Sequence, residues 1–268
     1  MANPSPPSRP EEEEGGKMSF FEHLTELRTR LIHACGAIVV GTFVGVYLAK
    51  HFLEFVARPM VDALRAANLQ DKLIFTHPAG YLYQVITLGL YLGIVIASPY
   101  VLYQVWLFVA PGLYRNERKA VAGFVISSVA LFLCGIAFAY YVILPYLLKF
   151  LVNFQTGGPF TPLISVNEYF DLVLNVLLGV GIVFELPVLA FLLSLFGIVT
   201  PRFLWKNFRY AILIIAILAA VITPTPDAIT MLVFMAPMVA LYFLSIGVSA
   251  VVVRRKRRAE SIARQGAT

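Results

Sequence analysis

Gly179-Val180-Gly181-Ile182-Val183-Phe184-Glu185-Leu186-Pro187 lies inside an apolar run that extends from Tyr169 to Val199. The run exceeds the ~20 residues a helix needs to cross ~30 Å of hydrocarbon, so it reads as a membrane span. Asp171 stands near its mouth, but Glu185 sits well inside, with a proline two residues later. Placing an ionisable group at that depth costs ~2.5–3.5 kcal/mol on insertion scales, so Glu185 should face protein or a polar cavity. The fold must supply that shelter.

The rest of the chain has the same character. Of 268 residues, 59% are hydrophobic and 13% charged, and the mean hydropathy is +0.81. This fits one all-α, polytopic membrane domain and leaves no room for a second globular one. Five further apolar segments accompany Tyr169–Val199: Leu31–Val56, Tyr81–Phe108, Ala120–Leu148, Phe208–Ile222 and Ile229–Val253. Six transmembrane helices are therefore expected. The fifth is short, ~22 Å of helix at 1.5 Å per residue, and implies local thinning or shelter by neighbours.

Three regions follow from this division. Residues 1–18 are Pro-rich and then acidic, lack the order of a signal peptide, and read as a disordered tail. Residues 19–253 form the six-helix membrane domain, and 254–268 a basic cytoplasmic tail. The domain begins with an amphipathic interfacial segment in which Phe20, Leu24, Leu27 and Leu31 share a helical face. Glu22, Glu26 and Arg30 occupy another face at i, i+4 steps.

Helix starts are signalled at Asn116, at Ser165 with Glu168 in capping-box spacing, at Thr200-Pro201 and at Thr225-Pro226-Asp227. Pro99, Pro145, Pro187 and Pro237 predict kinks whose freed carbonyls need other partners. Cys35 and Cys134 lie in apolar runs and read as buried free thiols.

Basic residues set the orientation. Arg9, Lys17, Arg28 and Arg30 precede the first span; Arg115, Arg118 and Lys119 follow the second; Arg202, Lys206 and Arg209 follow the fourth. The C-terminal tail adds Arg254, Arg255, Lys256, Arg257, Arg258 and Arg264. The opposite side has only Lys50, Arg58, Arg65, Lys72 and Lys149. Both termini are therefore expected in the cytoplasm. The tail cluster suits anionic lipid better than nucleic acid.

No Walker loop, HExxH helix or GxSxG turn is present, and His23, His33, His51 and His77 are scattered. The chain thus offers no catalytic residue, no metal site and no cofactor motif, and an enzyme is not expected. Three carboxylates remain for chemistry. Glu26 and Glu117 adjoin the membrane on an otherwise basic face, and suit a ligand that carries guanidinium groups. Each also has a bland role, Glu26 as partner of Arg30 and Glu117 at a helix start. Glu185 is compatible with proton coupling, with docking a polar group of another helix, or with holding water. A proton- or ion-coupled small-solute transporter using Glu185 is the alternative function.

Phe21-Glu22-His23-Leu24-Thr25-Glu26-Leu27-Arg28-Thr29-Arg30 resembles the N-terminal signature of TatC, the multispanning core of the twin-arginine protein translocase. Tyr103-Gln104-Val105-Trp106-Leu107-Phe108-Val109-Ala110-Pro111-Gly112-Leu113-Tyr114 with Glu117-Arg118 is similar to a second family motif. Phe184-Glu185-Leu186-Pro187, and Thr223-Pro224 with Pro226-Asp227, match two more. The resemblance covers about Phe20 to Val253, and the motifs fall in family order.

It implies a non-enzymatic receptor and assembly platform for exporting folded proteins across the cytoplasmic (inner) membrane. Cargo would be read through a signal peptide with consecutive arginines. Single-span TatA- and TatB-like partners would assemble with it in an oligomeric complex energised by the proton-motive force. The resemblance implies signal-peptide binding by Glu26 and Glu117, with Arg28, Arg30 and Phe108 nearby on the recognition surface. Glu185 would line a concave face that engages partner helices or an inserted signal. Pro59 in the first external loop and Asp227 in the last match sensitive family positions. The fifth and sixth helices would form the partner-docking edge.

Overall fold

The computed structural model describes residues 20–70, 72–109, 121–156, 163–223 and 228–265. Asn116, Glu117, the Thr225-Pro226-Asp227 start signal and residues 1–19 lie outside them.

Helix α1 runs from Phe20 to Ala66 without interruption, 47 residues in all. At 1.5 Å per residue that is about 70 Å, more than twice the hydrocarbon thickness. The amphipathic segment and the first span are thus one rod rather than a surface helix that turns in. The expectation of Pro59 in an external loop is corrected, because Pro59 lies within α1. A mid-helix proline survives when the carbonyl four residues back finds another donor. Here that carbonyl, of Phe55, accepts from the Tyr140 hydroxyl at 2.6 Å. Beside it the Val56 carbonyl accepts from the Tyr169 hydroxyl at 2.7 Å. Two tyrosines from other spans therefore tie down the backbone that the proline loosens.

Helix α2 spans Gly80–Val109 and repeats the device at Pro99. The Val95 carbonyl, which an N–H at position 99 would have taken, accepts from the Ser98 hydroxyl at 2.8 Å. Against α1 it packs glycine on glycine. A Cβ on Gly41 would sit 2.6 Å from the Gly93 carbonyl oxygen, and one on Gly45 would collide with that of Gly89. Small residues four apart on each helix let the backbones touch, which drives association where lipid offers no hydrophobic contrast.

The third span is α3 (Val121–Phe138), a π-helical turn (Ala139–Ile143) and α4 (Leu144–Thr156). The Leu144 N–H bonds the Ala139 carbonyl, five residues back, immediately before Pro145. The fourth is α5 (Val166–Val183) and α6 (Leu186–Leu195), broken at Phe184-Glu185. Pro187 lies in the first turn of α6 and has no N–H to return to α5.

Ser165 has the extended backbone of a helix cap, but its hydroxyl makes no capping bond. It lies 3.4 Å from the Thr76 hydroxyl instead. The reason is a short parallel bridge between loops. Ile74 donates to the Ile164 carbonyl at 3.0 Å, and Val166 donates to that of Ile74 at 2.8 Å.

Helix α7 (Pro201–Lys206) is capped as expected, the Phe203 N–H donating to Thr200 Oγ1 at 3.2 Å. Helix α8 (Phe208–Ile222) is the short fifth span. Helix α9 (Ala228–Gln265) carries the sixth span and continues through the basic tail, whose Arg, Lys and Ala residues favour helix. Among the described residues there are six apolar helical segments, five of full crossing length and α8.

The buried core gathers the later half of α1, the π-helical turn, α4 and α5, around Leu64, Leu144, Leu148, Phe170 and Val173. The end of the bundle near the start of α1 is more thinly packed. Cys35 and Cys134 are free but exposed, correcting the expectation of burial. An apolar run in a membrane helix faces lipid as readily as protein.

Candidate recognition surface and intramembrane carboxylate

Two constellations emerge. The first sits where the early turns of α1 meet the end of α2. Arg30 Nη2 donates to Glu26 Oε1 at 3.2 Å, and Arg30 Nη1 reaches Gln104 Oε1 on α2 at 3.4 Å. Helical spacing of four residues places Glu26 and Arg30 side by side. The glycine-mediated approach of α2 brings in buried Gln104.

The ion pair uses one oxygen and one nitrogen. Glu26 Oε2 and Arg30 Nε are buried with no hydrogen-bond partner among the described residues. A guanidinium and a carboxylate can form two parallel bonds, so this pair leaves unused capacity on both sides. The Glu26 side chain is 18% exposed and that of Arg30 30%. Arg28 is exposed, and Phe108 is half-buried in the last turn of α2.

The second constellation surrounds Glu185 at the break between α5 and α6. The break is not a loss of backbone order. Phe184 donates to the Val180 carbonyl at 3.0 Å, Glu185 to that of Ile182 at 3.0 Å, and Leu189 to that of Glu185 at 2.9 Å. The tightened step and the following proline set the carboxylate at a joint between helices. Glu185 is half-buried with Ser128 of α3 beside it, while Oε1 is buried without a partner among the described residues. Ser128 also accepts from Trp106 Nε1 at 3.2 Å. The Trp106 ring stacks on Phe124 with centroids 4.8 Å apart, and Phe124 meets Phe191 of α6 at 4.8 Å.

Ser128 thus stands between the sheltered carboxylate and the motif that begins at Tyr103 on α2. Gln104 belongs to the first constellation and Trp106, two residues on, to the second. Neighbours two apart on a helix point to different sides, so this stretch of α2 separates the two. Among the described residues no group of three His, Cys, Asp or Glu could hold a metal ion.

This geometry can be set against known proteins. The family model described as Sec-independent protein translocase protein (TatC) matches residues 22–237. The chain belongs to the TatC family. A relative described as Sec-independent protein translocase protein TatC, from Koribacter versatilis (strain Ellin345), is 46% identical over 252 residues. That match covers 93% of this chain and 92% of the relative. TatCy of Bacillus subtilis (strain 168) is 35% identical over 248 residues, covering 91% of this chain and 94% of its own. A crystal structure of a protein described as Twin Arginine Translocase Receptor TatC aligns at a TM-score of 0.74 with 34% identity. It covers 87% of this chain and 100% of that one.

As a TatC protein, the chain is a membrane component of a Sec-independent protein translocase. The small-solute transporter alternative finds no support. Of the residues singled out in the sequence, Glu26 and Arg30 are brought together, and Glu185 stands apart from them. Glu117 and Asp227 lie outside the described residues. Gln104 and Trp106 stood within a quoted TatC motif, but nothing in the motif shows which side each faces. Ser128, in an apolar run, carried no signal at all.

Proposed function

We propose that this protein is the twin-arginine signal-peptide receptor and assembly platform of its translocase. What carries the reading is the Glu26–Arg30 pair, since a carboxylate on the first turns of α1 already binds a guanidinium. Glu26 and Glu117 take the arginine pair of the signal, with Arg28, Arg30 and Phe108 shaping the surface around them. Both termini face the cytoplasm, where folded cargo waits. The basic residues flanking the spans support that orientation.

Six helices cannot enclose a folded protein, so the path is built with partners. Glu185 docks a polar group of a single-span TatA- or TatB-like helix, or an inserted signal segment. Exposed Leu213, Ile214, Ile217 and Val221 on α8 favour that edge for docking. The chain carries no chemistry of its own, and the proton-motive force acts on the assembled complex.

Cross-linking to a twin-arginine signal peptide tests the assignment. Cross-links should be lost when the arginines become lysines, because lysine keeps charge but lacks the planar fork. They should also be lost in Glu26→Ala and Glu117→Ala. Unchanged cross-linking in any of the three would sink the recognition assignment. Translocation by the purified subunit alone would refute the need for partners.

A further inference from the structure

Two cavities adjoin at the end of the bundle away from the start of α1, and they differ in character. The first, about 270 Å³, is walled by apolar side chains of α1, α2, the third span and α5, among them Leu92, Ala137 and Leu177. The second, about 320 Å³, is lined by Arg58, Pro59, Asp62 and Lys149. Phe55, Tyr140 and Tyr141 line both, so one opens beside the other. Phe55 and Tyr140 stack with centroids 4.4 Å apart, and Tyr141 meets Tyr140 edge-on at 4.9 Å.

The Pro59 device sets this dividing wall, because the Tyr140 hydroxyl is held on the Phe55 carbonyl. The π-helical turn then sends Tyr140 inward and leaves Tyr141 68% exposed. Tyrosines of that kind mark the boundary between hydrocarbon and headgroups. Arg58 and Lys149 are exposed, and neither is ion-paired among the described residues. Asp62 shares their rim and offsets one of the two charges, leaving it net positive.

We infer that this double cavity is a binding site for an anionic phospholipid, with an acyl chain in the apolar chamber and the phosphate between Arg58 and Lys149. An apolar slot closed by a net positive mouth at an aromatic boundary matches the two ends of such a molecule. A zwitterionic lipid would bring its own cation to a rim that is already positive. With the termini cytoplasmic, as proposed above, the lipid belongs to the outer leaflet. Binding itself does not depend on that orientation.

The test uses the purified full chain in detergent, with native mass spectrometry after addition of palmitoyl-oleoyl phosphatidylglycerol, phosphatidylethanolamine or phosphatidylcholine. Phosphatidylglycerol should be retained preferentially. Each cation should account for about a fivefold part of that preference, so Arg58→Gln with Lys149→Gln should reduce it about 25-fold. Ala137→Phe, which fills the chamber from an exposed helical position, should lower retention of all three lipids with helical content unchanged. Equal retention of the three, or a preference for phosphatidylethanolamine, would overturn the inference. So would a preference that survives the double variant, or retention that survives Ala137→Phe. A photoreactive side chain at Ala137 that cross-links to a partner helix in membranes, rather than to lipid, would also overturn it.

Discussion

Arg30 Nη2 holds Glu26 Oε1 at 3.2 Å while its other terminal nitrogen reaches Gln104 on α2, 74 residues away. One guanidinium therefore fixes the carboxylate proposed to read arginines, and braces the helix that carries it against its neighbour. A hydrogen bond between charged groups is worth about 1.5–3 kcal/mol, and one with a single charged partner is no stronger.

The first prediction is an order of effects. Glu26→Gln should weaken binding of a fluorescent twin-arginine peptide at least about tenfold, the loss of one charge-assisted bond. Arg30→Gln should cost less, because the carboxylate survives but loses its brace. Gln104→Leu should cost least. Binding isotherms in nanodiscs would show the order, and a Gln104→Leu effect equal to that of Glu26→Gln would contradict it.

The second concerns Pro59 and Tyr140. Tyr140→Phe leaves the Phe55 carbonyl without its donor and should cost about 1–3 kcal/mol of stability. Pro59→Ala supplies a backbone N–H for the same carbonyl, so Tyr140→Phe should cost far less in that background. A double-mutant cycle on thermal unfolding in detergent measures the coupling. Additive effects would mean that the tyrosine does not replace the missing N–H.

The third tests the crossing of α1 and α2. Gly45→Leu places atoms against the Gly89 backbone and should destabilise by at least about 1–3 kcal/mol, as overpacking does. Gly36→Ala, where a Cβ would meet nothing within 4 Å, should be neutral or stabilising. Resistance to heat and protease would separate them; equal behaviour would mean that the helices do not meet as described.

Much of this architecture was legible beforehand. Hydropathy located all six spans, because the bilayer imposes length on every one of them. The Thr200 cap was legible too, since a hydroxyl before proline has one common use. What was missed depends on pairs distant in the chain. Pro59 looked like a loop residue because Tyr140, which makes it tolerable inside α1, lies 81 positions later. The capping box at Ser165 yielded to a loop bridge with Ile74. Gly41, Gly45, Gly89 and Gly93 carried small-residue spacing whose meaning needs both helices at once. Ser128 had no signal, being one of two adjacent serines in an apolar run, the one that happens to face Glu185.

The fourth prediction follows from that last contact. Glu185→Ala should weaken co-purification with a single-span partner more than binding of the twin-arginine peptide. Ser128→Ala should do the same more weakly, as Glu185 loses a polar neighbour but keeps its charge. Equal loss of both activities in Glu185→Ala would mean the two constellations are not divided in labour.

The central claim is that paired carboxylates read guanidinium geometry. The most direct measurement is the ratio of affinities for twin-arginine and twin-lysine peptides, in the native chain and in Glu26→Gln with Glu117→Gln. We expect a strong preference for arginine in the native chain, and a ratio near unity in the double variant. A preference for arginine that persists without both carboxylates would contradict the account.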